Sequence, residues 1–253
     1  MKHLMNKISV LLLLCASLSV TQAQFRNLQF YSDYNVGVNR YLSASQYLQK
    51  DTKIISASAV GGGVRVLFDV AQNLRVGFSA GYQLFSVQQD SALERWQWRF
   101  WETRYKGNVR DALKSDSTLT AQLQAIQKMD VYPLMLSASY ALKVSDNLSF
   151  LPTVGVGINF FNRRMYLDEK WSKYYPQSKY TFTYNYQNFA PSKPGNPLSA
   201  MVALEAEYIF SELFAFTMQA HYTHYFDTND RFGYDNFPLE RSYGLKLGLT
   251  VLY

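Results

Sequence analysis

The chain ends in residues 243–253, YGLKLGLTVLY, where every second residue from Tyr243 to Tyr253 is apolar or aromatic. The residues between them are mostly small or polar and include one lysine, Lys246. Because successive side chains of a β-strand point to opposite faces, this stretch predicts a strand with one wholly apolar face and a tyrosine at each end. Its length matches the ~9–11 residues of a transmembrane β-strand, whose aromatic residues mark the two membrane interfaces.

The same alternation recurs along the chain and predicts eight strands. They cover residues 28–41, 54–69, 74–87, 132–142, 148–160, 198–210, 214–222 and 243–253. Three connections between them are very short, at residues 70–73, 144–147 and 211–212. The connections at 42–53, 89–128, 162–197 and 227–239 are long. An even strand number with alternating short and long connections predicts an all-β fold: a closed, antiparallel, up-and-down eight-stranded transmembrane β-barrel with long extracellular loops.

Charge placement favours a membrane barrel over a soluble, lipocalin-like one. No residue in the apolar phase of the eight strands is charged, and a lipid-facing charge costs ~2–4 kcal/mol near the membrane midplane. The opposite phase collects most of the 13 glycines, which suits an eight-stranded barrel because its lumen is only wide enough for side chains. Pro133 and Pro152 fall inside predicted strands, where each removes one backbone hydrogen bond, and both lie near strand ends, which limits the loss.

The N-terminus has the features of a secretory signal peptide. Lys2 and Lys7 precede an apolar run, and small residues surround the expected cleavage after Ala23. Residues 1–23 are therefore predicted to be removed, and residues 24–253 to form one barrel domain. The single cysteine, Cys15, would leave with the signal, so no disulfide or cysteine metal site is expected.

Composition excludes several classes of protein. The chain has 253 residues, and outside the signal no apolar run approaches the ~18 residues of a spanning helix. The signal holds two of the 25 basic residues and none of the 19 acidic ones, which leaves the mature chain with a net charge of about +4. A small positive charge without basic runs argues against a nucleic-acid partner.

Charged residues in the lumen phase predict an internal ionic network. By position along their strands, Arg65 is expected to meet Glu205 and Glu207 across the lumen, while Asp33 and Lys246 lie side by side on the first and last strands. Arg75 and His221 complete the set. A carboxylate pair can also serve as general acid and base. Structural pairing is the favoured interpretation because buried charges are almost always paired.

The sequence predicts no catalytic residue, cofactor or metal site. His224 has the phase of a lipid-facing residue, and one kind of lipid A-modifying barrel uses a histidine with a serine two residues later. The corresponding residue here is Phe226, so that motif is absent and a structural histidine is expected. No spacing of His, Asp and Glu suggests metal ligands.

Aromatic residues and arginines are concentrated in two of the long loops. Residues 95–104 read RWQWRFWETR, and a short helix is predicted after them, capped by Ser117 and carrying Leu119, Leu123 and Ile126. The third loop is rich in tyrosine. Aromatic and arginine side chains suit binding of a surface protein or saccharide, and the candidate residues are Trp96, Trp98, Arg99, Trp101, Arg104, Tyr180 and Tyr184. The alternative is that strands continue beyond the membrane as hairpins and these aromatic residues pack on one another.

The mature chain resembles the small eight-stranded outer-membrane barrels, the OmpA/OmpX-like "porin family" proteins of Bacteroidetes-type genomes. The resemblance rests on the signal, the eight alternating segments, the turn lengths and the aromatic terminus. It implies the outer membrane of a Gram-negative bacterium, periplasmic termini, contact with outer-membrane lipids and lipopolysaccharide, and Tyr253 as a signal for the barrel-assembly machinery. The expected role is structural or adhesive, through the loops. A component of an envelope or secretion assembly, as in PorT-like barrels, is the alternative, and a lipid A-modifying enzyme a more distant one.

Overall fold

The computed structural model of the chain describes residues 24–39, 56–87, 96, 98–226 and 237–253. The predicted signal peptide, Cys15 and most of two predicted loops (42–53 and 227–239) lie outside these ranges. The strands are β1 (Gln24–Asn39), β2 (Ser56–Ala71), β3 (Leu74–Val87), β4 (Leu119–Tyr140), β5 (Leu142–Lys143), β6 (Leu148–Tyr175), β7 (Tyr180–Phe189), β8 (Lys193–Gly195), β9 (Leu198–Ile209), β10 (Phe214–Tyr225) and β11 (Leu239–Leu252). A π-helix (Trp101–Val109) leads directly into α1 (Arg110–Ser115).

Eight strands form a closed antiparallel ring, as predicted. The order around it is β1–β2–β3–β4–β6–β9–β10–β11, and β11 pairs with β1 to close it. β5 continues β4 after a one-residue break, while β7 and β8 lie outside the ring and each pairs with β6. No helix among the residues described is long and apolar enough to cross a membrane.

The polarity of the ring is the reverse of that in a water-soluble protein. Along β1, the outward-facing Phe30 and Tyr34 are half exposed, whereas the inward-facing Gln29, Asp33 and Asn35 are buried. The same alternation holds in the other seven strands of the ring. Exposing a large apolar side chain to water costs about 1.5–3 kcal/mol, so a surface built of such residues is stable only against hydrocarbon.

Short turns gather at one end of the ring, which we call the turn end, and long connections at the other, the loop end. The first turn is two residues long and contains Asn73, whose φ of 64° lies in the left-handed region that asparagine tolerates. The predicted tight turns before Leu148 and Phe214 are also present. Both chain ends of the ring lie at the turn end, where Asn27 pairs with Leu252.

The two prolines in strands of the ring, Pro133 and Pro152, coincide with two gaps in the pairing of β4 and its continuation β5 with their neighbours. The β3–β4 ladder stops at Ala80–Leu134 and resumes at Gln83–Val131 in the same register, so Pro133 lies in the gap. The β4–β6 ladder ends at Ser139–Thr153, and β5 resumes it at Leu142–Phe150, so Pro152 lies in the second. Because proline has no N–H to donate, the ladder is interrupted there while the register is kept.

Glycines in β2 and β3 make room for one tyrosine inside the barrel. A Cβ on Gly63 would lie 2.6 Å from the Tyr31 hydroxyl, and one on Gly81 would lie 2.8 Å from it. The Tyr31 hydroxyl therefore lies close to the backbone of both strands, and the Lys246 ammonium sits 4.8 Å from the centroid of the Tyr31 ring. A side chain at either glycine would displace the tyrosine from the lumen wall.

The prediction was wrong about the region between β3 and β9. The expected helix at Leu119–Ile126 is strand: β4 begins at Leu119 and pairs with β6, which runs on to Tyr175 instead of ending near 160. In this strand Leu119 and Ile126 lie on opposite faces, and Leu119 packs on the apolar cluster described below. The helical segment comes earlier, and residues 162–197, predicted as a loop, are mostly strand.

The closed ring predicts a heat-modifiable protein. A ring without a free edge in the membrane has no point from which to unzip, so the unheated protein should migrate differently from the boiled protein on a denaturing gel. The measurement is gel electrophoresis of membrane-extracted protein with and without boiling. Identical migration of the two samples would contradict a closed ring.

Candidate functional site

The lumen of the barrel holds two ion pairs that cross it. Arg65 donates from Nη2 to both carboxylate oxygens of Glu205, at 2.6 and 2.5 Å, and Gln219 donates to the same carboxylate at 2.9 Å. Nearer the turn end, Arg75 donates from Nη1 to both oxygens of Glu207, at 2.9 and 3.0 Å. All four charged side chains are almost fully buried. Each buried charge is thus paired, which offsets the cost of removing it from water.

The structure brings some residues of the predicted network together and separates others. Arg65 meets Glu205 as expected, but Glu207 is bound by Arg75 and not by Arg65. Asp33 and Lys246 do lie opposite each other on β1 and β11. No salt bridge forms between these two described residues. Asp33 instead accepts a hydrogen bond from Gln83 at 2.6 Å, and Lys246 lies over Tyr31.

An apolar layer lies above the charged part of the lumen, toward the loop end. It consists of Ala57, Ala59, Phe85, Met129, Val131, Phe161, Tyr225, Phe237 and Leu239, all buried. The ring of Phe237 packs on Phe161 and on Tyr225, with centroids 5.0 and 4.7 Å away. The Glu205 and Glu207 carboxylates are therefore covered by packed side chains on the loop side. This arrangement favours a structural role for them over an acid–base pair that a substrate must reach.

The two described histidines lie on opposite faces of β10. His221 faces the lumen, and its Nε2 lies 2.8 Å from Asn35 Oδ1. His224 faces outward, and its ring packs edge-on against Phe226 with centroids 5.1 Å apart. Among the residues that the structure describes, no three His, Cys, Asp or Glu side chains form a group that could hold a metal ion.

Three strands extend past the ring at the loop end and form a sheet that we call the platform: residues 119–127 of β4, 165–175 of β6, and β7. β6 is 28 residues long, roughly 90 Å at the usual rise per residue, and so far exceeds what a ~30 Å hydrocarbon core requires. β7 folds back on it through a turn at residues 176–179. The long hairpins of the alternative interpretation are therefore present.

One face of the platform is covered by an aromatic cluster. Its buried members are Trp96, Trp98, Tyr105, Val109, Met165, Leu167 and Trp171, with Trp101 and Leu113 among the residues packed against it. The π-helix and α1 thus lie on the sheet. Trp96 and Trp98 are only 4% and 7% exposed, so the prediction that they contact a partner is wrong. Burying their large rings is what attaches the helical segment to the strands.

A buried carboxylate lies in the centre of this covered face. Glu169 is 1% exposed and accepts hydrogen bonds from Trp171 Nε1 at 2.7 Å and from the Asn188 amide. Asn188 also donates to the Tyr105 hydroxyl at 2.6 Å. Burial and the nearby Glu169 raise the pKa of Tyr186 to about 12, while the Arg104 guanidinium, which donates to its hydroxyl, opposes the rise. The polar side chains of the cluster thus form hydrogen bonds with one another.

The remaining candidate residues lie at the rim of the cluster. Arg104 stacks over the rings of Phe100, Tyr105 and Tyr186 at 5.4–5.7 Å. Trp101 stacks on Tyr105, and Arg99 is exposed. Tyr184 lies between Trp171 and Tyr186, with ring planes only 7° and 3° from parallel to theirs. Tyr180 and the edge of Tyr184 reach solvent, so these two retain the predicted exposure.

The free edge of β7 is a feature that the sequence interpretation missed. Among the strands that the structure describes, β7 pairs with β6 alone, from Tyr166–Phe189 to Tyr175–Tyr180, without a register shift. The Ala190 N–H donates to Met165 C=O, which makes that pair a hydrogen-bonded one. Because hydrogen-bonded pairs alternate in an antiparallel ladder, the N–H and C=O groups of residues 181, 183, 185, 187 and 189 point away from β6. The alternating sequence YTFTYNYQNF was the available signal.

The crossing ion pairs can be tested by comparing matched double variants. Arg65→Ala should lower the free energy of unfolding by about 3–5 kcal/mol, because it leaves Glu205 charged and unpaired. Adding Glu205→Ala should recover part of that loss, whereas adding Glu207→Ala should not, since Glu207 pairs with Arg75. Urea unfolding in lipid vesicles measures the three variants. Equal recovery from either glutamate substitution would show that the pairing is not the one described.

The role of Trp98 gives a second test. Trp98→Ala should destabilise the platform by about 3–5 kcal/mol by opening a cavity in the aromatic cluster, while the barrel remains heat-modifiable. Limited proteolysis should then cut the chain within residues 170–190 faster than in the parent protein. Tyr180→Ala, which removes an exposed ring, is the control and should leave cleavage unchanged. Unaltered cleavage of the Trp98 variant would mean that the cluster does not hold the platform.

The solved structures with which the chain aligns include several outer-membrane barrels. Neisserial surface protein A (NspA) aligns over 91% of this chain and 99% of its own, with 10% identity and a TM-score of 0.44. Ail, the attachment invasion locus protein of Yersinia pestis, was solved in complex with the heparin analogue sucrose octasulfate. It aligns over 90% of this chain and 99% of its own, with 9% identity and a TM-score of 0.37. The N-terminal β-barrel domain of Pseudomonas aeruginosa OprF aligns over 91% of this chain and 100% of its own, with 10% identity and a TM-score of 0.35.

A comparison with curated protein sequences finds no match. The family model described as "Outer membrane protein beta-barrel domain" matches residues 8–244, which is most of the chain. That extent, together with the closed ring of eight antiparallel strands, decides the family. The chain belongs to the outer-membrane β-barrel domain family.

Proposed function

We propose that this protein is a non-catalytic surface protein of the Gram-negative outer membrane that binds an extended segment of another protein along the free edge of β7. The loop end faces the cell exterior, and both termini face the periplasm. This orientation is supported by the gathering of the short turns and chain ends at one end of the ring. Short turns lie on the periplasmic side of such barrels and long loops outside.

The observation that carries the proposal is the chemistry of the β7 edge. Five residues have backbone N–H and C=O groups that point away from β6 and pair with no other residue in the described ranges, and such groups are the complement of another extended backbone. Exposed edges are normally protected by charged residues, proline or bulges. The ten residues of β7 include no charge, no proline and no glycine, and the strand is regular. An unprotected edge of this length supports strand addition, in which main-chain bonds give affinity.

The platform holds this edge in place. β6 continues without a break from the ring into the platform, and the aromatic cluster covers one side of the sheet. The partner strand therefore meets a preorganised template, which lowers the entropic cost of binding. Exposed side chains on β7, such as Phe182 and Tyr184, would select among extended segments.

A saccharide ligand is less well supported by the same geometry. Sugar rings bind to the open faces of aromatic side chains. Tyr184 lies between the parallel rings of Trp171 and Tyr186, and Tyr186 is also covered by Arg104. Apart from the exposed Tyr180, the rings that the sequence offered for a sugar thus contact other aromatic or cationic side chains, whereas the backbone edge beside them has no partner in the described ranges.

Proline substitution tests the edge directly. Asn185→Pro removes an N–H that points away from β6, so the hairpin should persist while strand addition is blocked. Asn185→Ala keeps the N–H and is the matched control. With a photoreactive residue at position 183 on intact cells, the parent and the Ala variant should form a discrete protein adduct, and the Pro variant should not.

The identity of the adduct separates the two roles that remain open. A protein from outside the cell supports an adhesive role, and a neighbouring envelope protein supports a role in an envelope or secretion assembly. An adduct of equal yield in the Pro and Ala variants would show that the edge is not the binding surface. Absence of any adduct in all variants would also count against it.

A further inference from the structure

The side of the platform that faces away from the aromatic cluster is polar, and we call it the open face. It continues the outward surface of the ring, because the β4–β6 ladder runs from the ring into the platform without a register shift. Cross-strand pairing places its exposed and half-exposed side chains in three rows. Two rows are Gln124–Asp168–Gln187 and Gln122–Lys170–Asn185, and the third, farther from the ring, has three hydroxyl side chains with Ser172 at its centre.

The hydrogen-bonding groups of the open face are nearly all uncharged. Seven of the nine side chains in the three rows are amides or hydroxyls, and the other two, Asp168 and Lys170, have opposite charges and lie two positions apart on β6. The three rows therefore carry no net charge to attract an acidic or basic ligand. They also contain no apolar residue, whereas protein interfaces depend on buried apolar or aromatic anchors near their centre. A polar and uncharged ligand fits this face best.

Several amides of the open face have unused hydrogen-bonding capacity. The side chains of Gln122, Gln124 and Asn185 form no hydrogen bond with any residue that the structure describes. Each amide can both donate and accept, as can each hydroxyl of the third row. The hydroxyl groups of a sugar have the same two capacities, so a sugar chain can bond to amides on both sides of Lys170. The strands hold these amides in place before any ligand binds.

Aromatic rings border the polar rows at both ends. Toward the ring, Phe189 is 67% exposed and packs against Tyr166, with centroids 5.5 Å apart. Toward the far end of the platform, Tyr174 is exposed on the same side of β6 as Lys170. Tyr166 and Tyr174 are eight residues apart on β6, a span of about 26 Å at the usual rise per residue. The C–H face of a sugar ring packs on an aromatic ring, so this spacing suits a chain of several sugar units.

We infer that the open face binds an uncharged oligosaccharide chain that lies along β6. Sugar rings near the two ends of the bound chain pack on Tyr174 and Phe189, and hydroxyl groups between them bond to Gln122 and Asn185. The aromatic residues that the sequence offered for a sugar lie elsewhere, in or beside the aromatic cluster and at the turn before β7. The site uses side chains and not the outward N–H and C=O groups of β7, so it is independent of strand addition at that edge.

The test uses the mature protein folded in detergent micelles and titrated with lipid-free sugars by calorimetry. The neutral probes are maltohexaose, mannohexaose and chitohexaose, and the acidic probe is a heparin-derived hexasaccharide. At least one neutral hexasaccharide should bind, and more tightly than the acidic one. The matching disaccharide should bind roughly tenfold more weakly, because it cannot reach both aromatic ends and forms fewer hydrogen bonds.

Substitutions on the open face locate the site. Gln122→Ala with Asn185→Ala should weaken binding of the neutral hexasaccharide roughly fivefold to thirtyfold, since hydrogen bonds to the ligand are lost. Gln177→Ala is the matched control, because it removes an exposed amide from the turn at residues 176–179, outside the three rows. It should leave binding unchanged. Gln122→Ala alone serves if the double variant fails to become heat-modifiable.

A further arm identifies the source of the sugar. Lipid-free polysaccharide from the surface of the same cells is titrated beside the defined probes. Its binding, lost in the double variant, would place the ligand on the protein's own cell surface. Binding of the defined probes alone would assign the site to a saccharide from outside.

Three results would overturn the inference. The first is that no neutral hexasaccharide binds, and the second is that the acidic hexasaccharide binds as tightly as the best neutral one. The third is an equal loss of binding in the Gln177 variant, which would show that the open face is not the site. Asn185→Ala keeps the backbone N–H that strand addition needs, so a photoadduct at β7 is retained when sugar binding is lost. Failure here and failure of the proposed function are therefore distinguishable.

Discussion

Everything in this fold follows from the need to pair backbone N–H and C=O groups where water is absent. In hydrocarbon an unpaired group costs several kcal/mol, so strands can span a membrane only as a closed ring. The β11–β1 pairing that closes this ring joins the last strand of the chain to the first. Backbone pairing is interrupted beside Pro133 and Pro152, and at both places it resumes in the same register on the far side of the gap.

In the closed ring the polar and charged side chains face the lumen, where they lie in layers along the barrel axis. Arg75 and Glu207 lie nearest the turn end, Arg65 and Glu205 come next, and the apolar layer lies toward the loop end. The ionic pairs join strands that are not neighbours, so they tie together walls that the backbone ladder connects only through intervening strands. Such pairs define which strands face each other across the lumen. They add little net stability, because the cost of removing both charges from water offsets their attraction.

The sequence predicted the membrane part of the fold well because lipid outside and polar side chains inside impose a period of two. The eight strands, the direction each face points, the tight turns and the Arg65–Glu205 pair follow from that contrast. Glu207 was assigned to the wrong arginine because strand stagger in a tilted barrel shifts heights that simple counting treats as equal. Beyond the membrane the contrast disappears. Leu119, Leu123 and Ile126 then fitted a helical spacing, although pairing with β6 makes them strand. The same loss of contrast hid the burial of Trp96 and Trp98, since local sequence does not show which aromatic residues pack together.

The apolar layer makes the loop end of the lumen different from the turn end, because only the loop side of the ionic pairs is covered by it. Its packed rings and aliphatic side chains stand between the ionic pairs and the end that carries the platform. The layer therefore opposes the passage of water to the buried polar groups from the loop end. With the proposed orientation, it stands between Arg65, Glu205, Arg75 and Glu207 and the salt and acidity outside the cell.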